Sequence, residues 1–265
     1  MVPGHAPSEE HVEGLTAQPF WDIVAMPELF PWANELEAKA HVIQQELEQK
    51  LQETSQQAQQ QQQAQAQQAS LFASDSAWQN QVMGTGWSAV RLQRLGIWNE
   101  ENCQQFPATY QLIRSLNIPL AVRGVCFARQ APASGVQSHS DGRNFILTCH
   151  LGLKIPKECW IEVGGIRQTW QEGKLTTLDT SFEHSTGNPS ATQDRHVLII
   201  DFWHPELSEA ERAALEFVYD LRNKFESGLV PVRRPRGMFS SKKAKQENEG
   251  GGLGAWFNQL TSGGN

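Results

Sequence analysis

Between Trp87 and Trp203 the chain is a succession of short apolar runs separated by Gly, Pro, Asn and Asp. The runs fall at Val90–Leu92, Val122–Arg129, Phe145–Leu153, Trp160–Val163, Arg167–Trp170, Leu175–Asp179 and His196–Trp203. None is long enough for an amphipathic helix, and each is bounded by turn chemistry. Many short strands at regular spacing close on themselves as a β-sandwich or a barrel-like jelly roll. The expected fold class is therefore mainly β with flanking helices, and its core spans residues 84–230.

Helices flank that core. From Ala33 to about Gln68 the pattern is helical, with Ile43, Leu47 and Leu51 at i, i+4 and i+8. Beyond Leu51 the apolar stripe ends in a Gln/Ala-rich tract over 52–69, which has helix propensity but nothing large to bury. It reads as a projecting helix, with a coiled-coil partner as the sharper alternative. The N-terminal region thus runs over 13–83, preceded by a flexible lead-in at 1–12. Gly14–Trp21 sets apolar bulk beside a proline and reads as a docking segment. A last helix starts at a capping box, Ser208-Glu-Ala-Glu211, and Gly228 stands where a C-cap belongs. Its stripe of Ala214, Val218, Leu221 and Phe225 is expected to pack on the outside of the sheet. The tail at 231–265 is expected to be disordered. It gathers Arg233, Arg234, Arg236, Lys242, Lys243 and Lys245, a cluster suited to weak contact with an anionic surface.

A net charge of −7 argues against a nucleic-acid partner. Four cysteines with no CxxC pair suggest neither a zinc ribbon nor a disulfide scaffold. The N-terminus lacks a basic region followed by an apolar one, and no apolar run approaches the ~20 residues that span a bilayer. The expectation is a soluble protein with no transmembrane segment, cytoplasmic, or from an organelle lumen if a targeting segment was lost.

The chemistry concentrates in His139-Ser-Asp141, followed by His184 and Arg195. On a strand, residues two apart share a face, so His139 and Asp141 would aim at one point. A distant His184 would complete two imidazoles and one carboxylate, a set that leaves open positions and suits non-haem Fe(II) oxygenases. Hydrolytic zinc uses similar ligands, but that reading lacks an obvious general base and gives Arg195 no task. A non-catalytic jelly-roll binding module is the third reading. Arg195 offers a fixed charge for a carboxylate cosubstrate. His150 shares a strand face with Ile146 and Thr148, where it is either a hydrogen-bonded core residue or a donor to that cosubstrate.

The segment His139–Pro156, with Trp170-Gln-Glu-Gly-Lys174, Asp179-Thr-Ser-Phe-Glu-His184 and Ile200-Asp-Phe-Trp-His-Pro-Glu-Leu207, resembles the aspartyl/asparaginyl β-hydroxylase family. Gly14–Trp21 and Asn99-Glu-Glu-Asn-Cys103 echo further blocks, so the resemblance covers roughly residues 13–228. It implies a dioxygenase dependent on Fe(II), 2-oxoglutarate and O2, on a double-stranded β-helix. His139 and His184 match the two metal histidines. Asp141 matches a carboxylate that many members carry and that glycine replaces in the animal enzyme naming the family. Arg195 matches the residue for the distal 2-oxoglutarate carboxylate, and His150 a cosubstrate-contacting histidine. Two departures stand out: Ala128 where the animal enzyme has Ser, and Thr148 where it has Arg. Arg143 or Arg129 are the candidates to replace that missing cation. The resemblance implies a peptide or amino-acid substrate, with the β-carbon of Asp or Asn first and a lipid acyl chain as the alternative.

Overall fold

The computed structural model describes residues 5, 10–61, 86–226 and 228–229. Every apolar run named above lies within or overlaps a strand. Among the described residues, eleven strands form two antiparallel sheets. The larger has seven: β1 (Phe20–Trp21), β9 (Leu175–Asp179), β6 (Ile146–Lys154), β11 (Arg195–Trp203), β4 (Leu120–Gln130), β2 (Trp87–Arg94) and β3 (Ile97–Trp98), in that spatial order. The smaller runs β5 (Ser134–His139), β10 (His184–Asn188), β7 (Trp160–Val163), β8 (Ile166–Gln168). From β4 onward, successive strands cross between the sheets or turn within one, and β11 finally pairs with β4. That winding is a double-stranded β-helix.

Strand alternation sorts the core into layers. Val125, Phe127, Leu147, Cys149, Leu151, Leu198, Ile200 and Phe202 leave the large sheet on its outer face. They pack under α1 (Ala33–Ala38), α2 (Ala40–Gln61), α3 (Glu100–Gln105) and α4 (Pro107–Ser115). Ile43 and Leu47 are buried in this layer and Leu51 partly so, as their spacing predicts. On the inner face, Trp87, Ala89, Cys126, Ala128, Leu178 and Val197 meet Val136, Ile161 and Val163 of the small sheet. This layer between the sheets is where the chemistry lies.

The four cysteines are free and buried. The segment Gly14–Trp21 docks as expected. Thr16 donates to Glu206 through its amide and hydroxyl (both 2.7 Å), and β1 extends the large sheet by pairing with β9. The stretch read as a flexible lead-in is tied down at its described residues. Glu10 accepts from Arg143 (2.8 Å) and Arg222 (2.6 Å), and Val12 exchanges two hydrogen bonds with Asn144. The Gln-rich tract is helical to Gln61; its remainder, and the basic tail, lie outside the described residues.

The last helix, α5 (Glu209–Glu226), corrects one expectation. Its caps are as read: Ser208 and Glu211 bond reciprocally, and Gly228 adopts φ +71°. The stripe expected to pack inward is instead exposed, with Val218, Leu221 and Phe225 each about half accessible. The helix docks through Leu215 and Tyr219. The Tyr219 hydroxyl and the Arg222 guanidinium both reach Glu10. A charged residue of the N-terminal segment thus selects which face turns in, a partner that helical periodicity does not reveal.

No described helix is long and apolar enough to cross a membrane.

Candidate metal and anion site

Two strands that the apolar pattern does not show, β5 and β10, carry the histidines. Ser-Gly-Val-Gln-Ser-His and His-Ser-Thr-Gly-Asn hold little apolar bulk, because one face of each meets the interior polar site. His139 and His184 are direct cross-strand partners, with ring centroids 4.2 Å apart. Each ring is oriented by its own chain: His139 Nδ1 donates to the Gln137 carbonyl (2.8 Å) and His184 Nδ1 to the Phe182 carbonyl (2.9 Å). A carbonyl only accepts, so Nδ1 carries the proton and Nε2 keeps its lone pair, the form a metal ligand takes. Burial lowers the His184 pKa to about 4 and so favours the neutral ring.

Asp141 does join these rings, by a different route from the one its spacing suggests. β5 ends at His139, so strand alternation does not aim Asp141. The residue lies in the following loop, where its amide donates to the Thr180 carbonyl (2.9 Å). Ser140 Oγ donates to the Ser181 carbonyl (2.8 Å), and Ser181 is fixed in turn by Asp179. The Asp179–His184 segment thus holds both sides of the site. Ligand atoms of His139, Asp141 and His184 all lie within 4.8 Å of one another, a spacing and donor set that fit one metal ion. Burial would push the Asp141 carboxyl up; the Arg123 guanidinium and the two histidines override it and hold the group well below the usual carboxylate range.

Arg195, at the start of β11, is 2% exposed, and its Nε and Nη1 have no hydrogen-bond partner. It sits over the Trp170 ring, 4.5 Å from the centroid. Burial lowers its pKa to about 10, which leaves it charged at neutral pH. A buried cation with orphaned donors is costly unless an anion completes it. The same Trp170 donates Nε1–H to His150 Nδ1 (3.2 Å). His150 is buried, and burial, with the charges of Arg195 and His184, pushes its pKa well down. The ring is therefore neutral with its proton on Nε2, a hydrogen-bond donor.

Trp170 and Arg123 were not singled out from sequence. Trp170 orders two site residues, and its signal lay only in the motif containing it. Arg123 ion-pairs with Asp141 and Asp201 (Nε to Oδ2 2.7 Å) and donates from Nη2 to Thr148 Oγ1 (3.0 Å). It stands beside Thr148, whereas the two arginines named as replacements are engaged elsewhere: Arg129 with Asp194 (2.8 Å) and Arg143 with Glu10. Ala128 is fully buried opposite Val197 and Ala89, an apolar environment.

A family model described as aspartyl/asparaginyl beta-hydroxylase matches residues 37–205. The human "Aspartate beta-hydroxylase domain-containing protein 2" is 34% identical over 145 residues, which is 53% of this chain and 39% of that protein. The mouse "Aspartyl/asparaginyl beta-hydroxylase" is 36% identical over 132 residues, 49% of this chain and 18% of its own length. The chain thus aligns with less than half of these relatives. Among solved structures, a prolyl hydroxylase from Trichoplax adhaerens in complex with a hypoxia-inducible-factor peptide covers 73% of this chain and 97% of its own, at 12% identity and TM-score 0.43.

Proposed function

The chain belongs to the aspartyl/asparaginyl β-hydroxylase family, and we propose that it is an Fe(II)- and 2-oxoglutarate-dependent dioxygenase. The observation that carries this reading is a buried, orphaned Arg195 in the same interior as a His–Asp–His cluster. A zinc hydrolase needs the cluster but not the arginine. In this reading His139, Asp141 and His184 hold iron. Arg195 holds the distal carboxylate of 2-oxoglutarate through Nε and Nη1, and His150 donates Nε2–H to the cosubstrate.

Iron with 2-oxoglutarate and O2 supplies the oxidising power to hydroxylate an unactivated carbon while succinate and CO2 are released. The protein supplies geometry and exclusion of water. The two imidazoles arrive with Nε2 free, so no tautomer change precedes binding. Trp170 keeps Arg195 and His150 in register with one another. Ile161, Val163, Phe182 and Val197 line the interior with apolar surface and keep bulk water from the charged groups.

The substrate class proposed is a peptide or amino-acid side chain, with the β-carbon of Asp or Asn first. The test is succinate formation from 2-oxoglutarate with added Fe(II). Turnover in the parent that disappears in His139→Ala and His184→Ala supports the site. Unchanged turnover in both variants overturns it. A search by mass spectrometry for a product heavier by one oxygen atom then identifies the substrate.

A further inference from the structure

Arg123 reaches the interior because β4 is irregular at one point. On β4, Val125 and Phe127 face the helices, while Cys126 and Ala128 face the inner layer. Strict alternation would put Arg123 with Val125, away from the site. Gly124 breaks the count. It has φ +69°, and the pairing with β11 slips across it: two steps along β11, Ile200 to Phe202, span five along β4, Val125 to Leu120. A Cβ at this position would lie 2.3 Å from the Gln93 backbone oxygen, so the bend requires glycine. That odd excess on β4 brings Arg123 to the inner face.

There its guanidinium is ion-paired with two carboxylates of this chain. Nη1 pairs with Asp141 Oδ2, and Nε lies 2.7 Å from Asp201 Oδ2. Nη2 reaches Thr148 Oγ1 (3.0 Å), Thr180 Oγ1 (3.2 Å) and Asp201 Oδ1 (3.3 Å). Thr148 Oγ1 donates to the same Asp201 oxygen (2.6 Å). Thr180 also supplies the carbonyl that holds the Asp141 amide. The second carboxylate oxygen, Asp141 Oδ1, faces His139 Nε2 at 4.0 Å.

We propose that Arg123 is a positioning residue for Asp141: it commits Oδ2 to the protein and leaves Oδ1 alone to meet a metal beside the two imidazoles. Asp141 then ligates through one oxygen. This is how a loop residue, lacking the rigidity of a strand, presents a fixed donor. Asp201 and Thr148 act through the arginine by holding its fork square to Asp141. With Asp201 neutral, the fork is free to turn onto both oxygens of Asp141 and withdraw the metal-facing one. Arg123 also balances charge: two buried carboxylates and one guanidinium leave one negative charge toward a divalent cation.

The inference rests on the metal reading above, and titration of the full chain with Co(II), followed by its visible absorption bands, separates the two. Supporting partners of metal ligands are worth about 10–100-fold in affinity. Arg123→Met is expected to weaken Co(II) binding by that factor and move the bands, with Arg123→Lys recovering part of the loss. Asp201→Asn is expected to weaken binding in the same direction by a smaller factor, and it carries the test if Arg123→Met does not fold. If the parent binds no Co(II), or His139→Ala and His184→Ala bind it as the parent does, the metal reading fails. If the parent binds and the histidine variants do not, but Arg123→Met or the surrogate Asp201→Asn keeps the parent's affinity and band positions, only the positioning role is overturned.

Discussion

Two arginines enter the space between the sheets, and their surroundings are opposite. Arg123 is enclosed by two carboxylates and two threonine hydroxyls. Burial works against its charge, but Asp141 and Asp201 more than compensate and hold it protonated. Arg195 is more deeply buried, stacks on Trp170, and has two donor nitrogens without an acceptor. An ion-paired guanidinium fits the scaffold, whereas one with orphaned donors and no counter-ion is open to an anion from outside. Burial and partners both separate them: Arg123 keeps 26% of its side chain exposed and has two counter-ions, whereas Arg195 is 2% exposed with orphaned donors.

The comparison can be broken most readily by stability. Arg123→Met leaves two buried carboxylates without their cation, and breaking such a pair costs about 3–5 kcal/mol; chemical denaturation measures it. Arg195→Met removes an uncompensated charge, so its unfolding free energy should match or exceed the parent's. The same variant should bind 2-oxoglutarate about tenfold to a hundredfold more weakly, the loss of one charge-assisted contact of about 1.5–3 kcal/mol. Calorimetric titration would show this, and equal loss of metal affinity would count against the role given to Arg195.

Asp179 extends the contrast to an acid. Its Oδ1 accepts from Ser181, but Oδ2 has no partner, and burial raises its pKa to about 6. A carboxyl whose folded pKa exceeds its unfolded value favours the fold at low pH and loses that contribution as pH rises from about 4 to about 6. Asp179→Asn should therefore raise the melting temperature at pH 7.5 relative to the parent and change it little at pH 3.5. The smallest effect is expected from Trp170→Phe, which keeps the ring under Arg195 but removes the donor to His150. A neutral hydrogen bond of about 0.5–1.5 kcal/mol is lost, and 2-oxoglutarate affinity should fall by no more than about tenfold.

The sheet strands were legible because their apolar runs are continuous, and buried faces demand that. β5 and β10 were not, since they carry mostly polar residues and glycine. His139 and His184 could be picked out nonetheless, by type and motif. Asp141 does lie beside the two histidines, but loop hydrogen bonds and Arg123 bring it in, not the strand alternation that singled it out. Arg123 itself left a faint trace. An Arg-Gly pair interrupts Leu-Ala-Val-…-Val-Cys-Phe, and glycine inside an otherwise central strand signals a bulge. The inward face of α5 depended on Glu10, about two hundred residues away in sequence, which no local window contains.

His139 and His184 are neighbours across one ladder, so the gap between their rings is set by the spacing of adjacent strands, about 4.8 Å. The chain that separates them in sequence makes two strand pairs and several turns before it returns. Residues can be gained or lost at those turns without altering the ruler that fixes the gap. The connection around the barrel can thus change in length while the spacing of the two imidazoles stays constant.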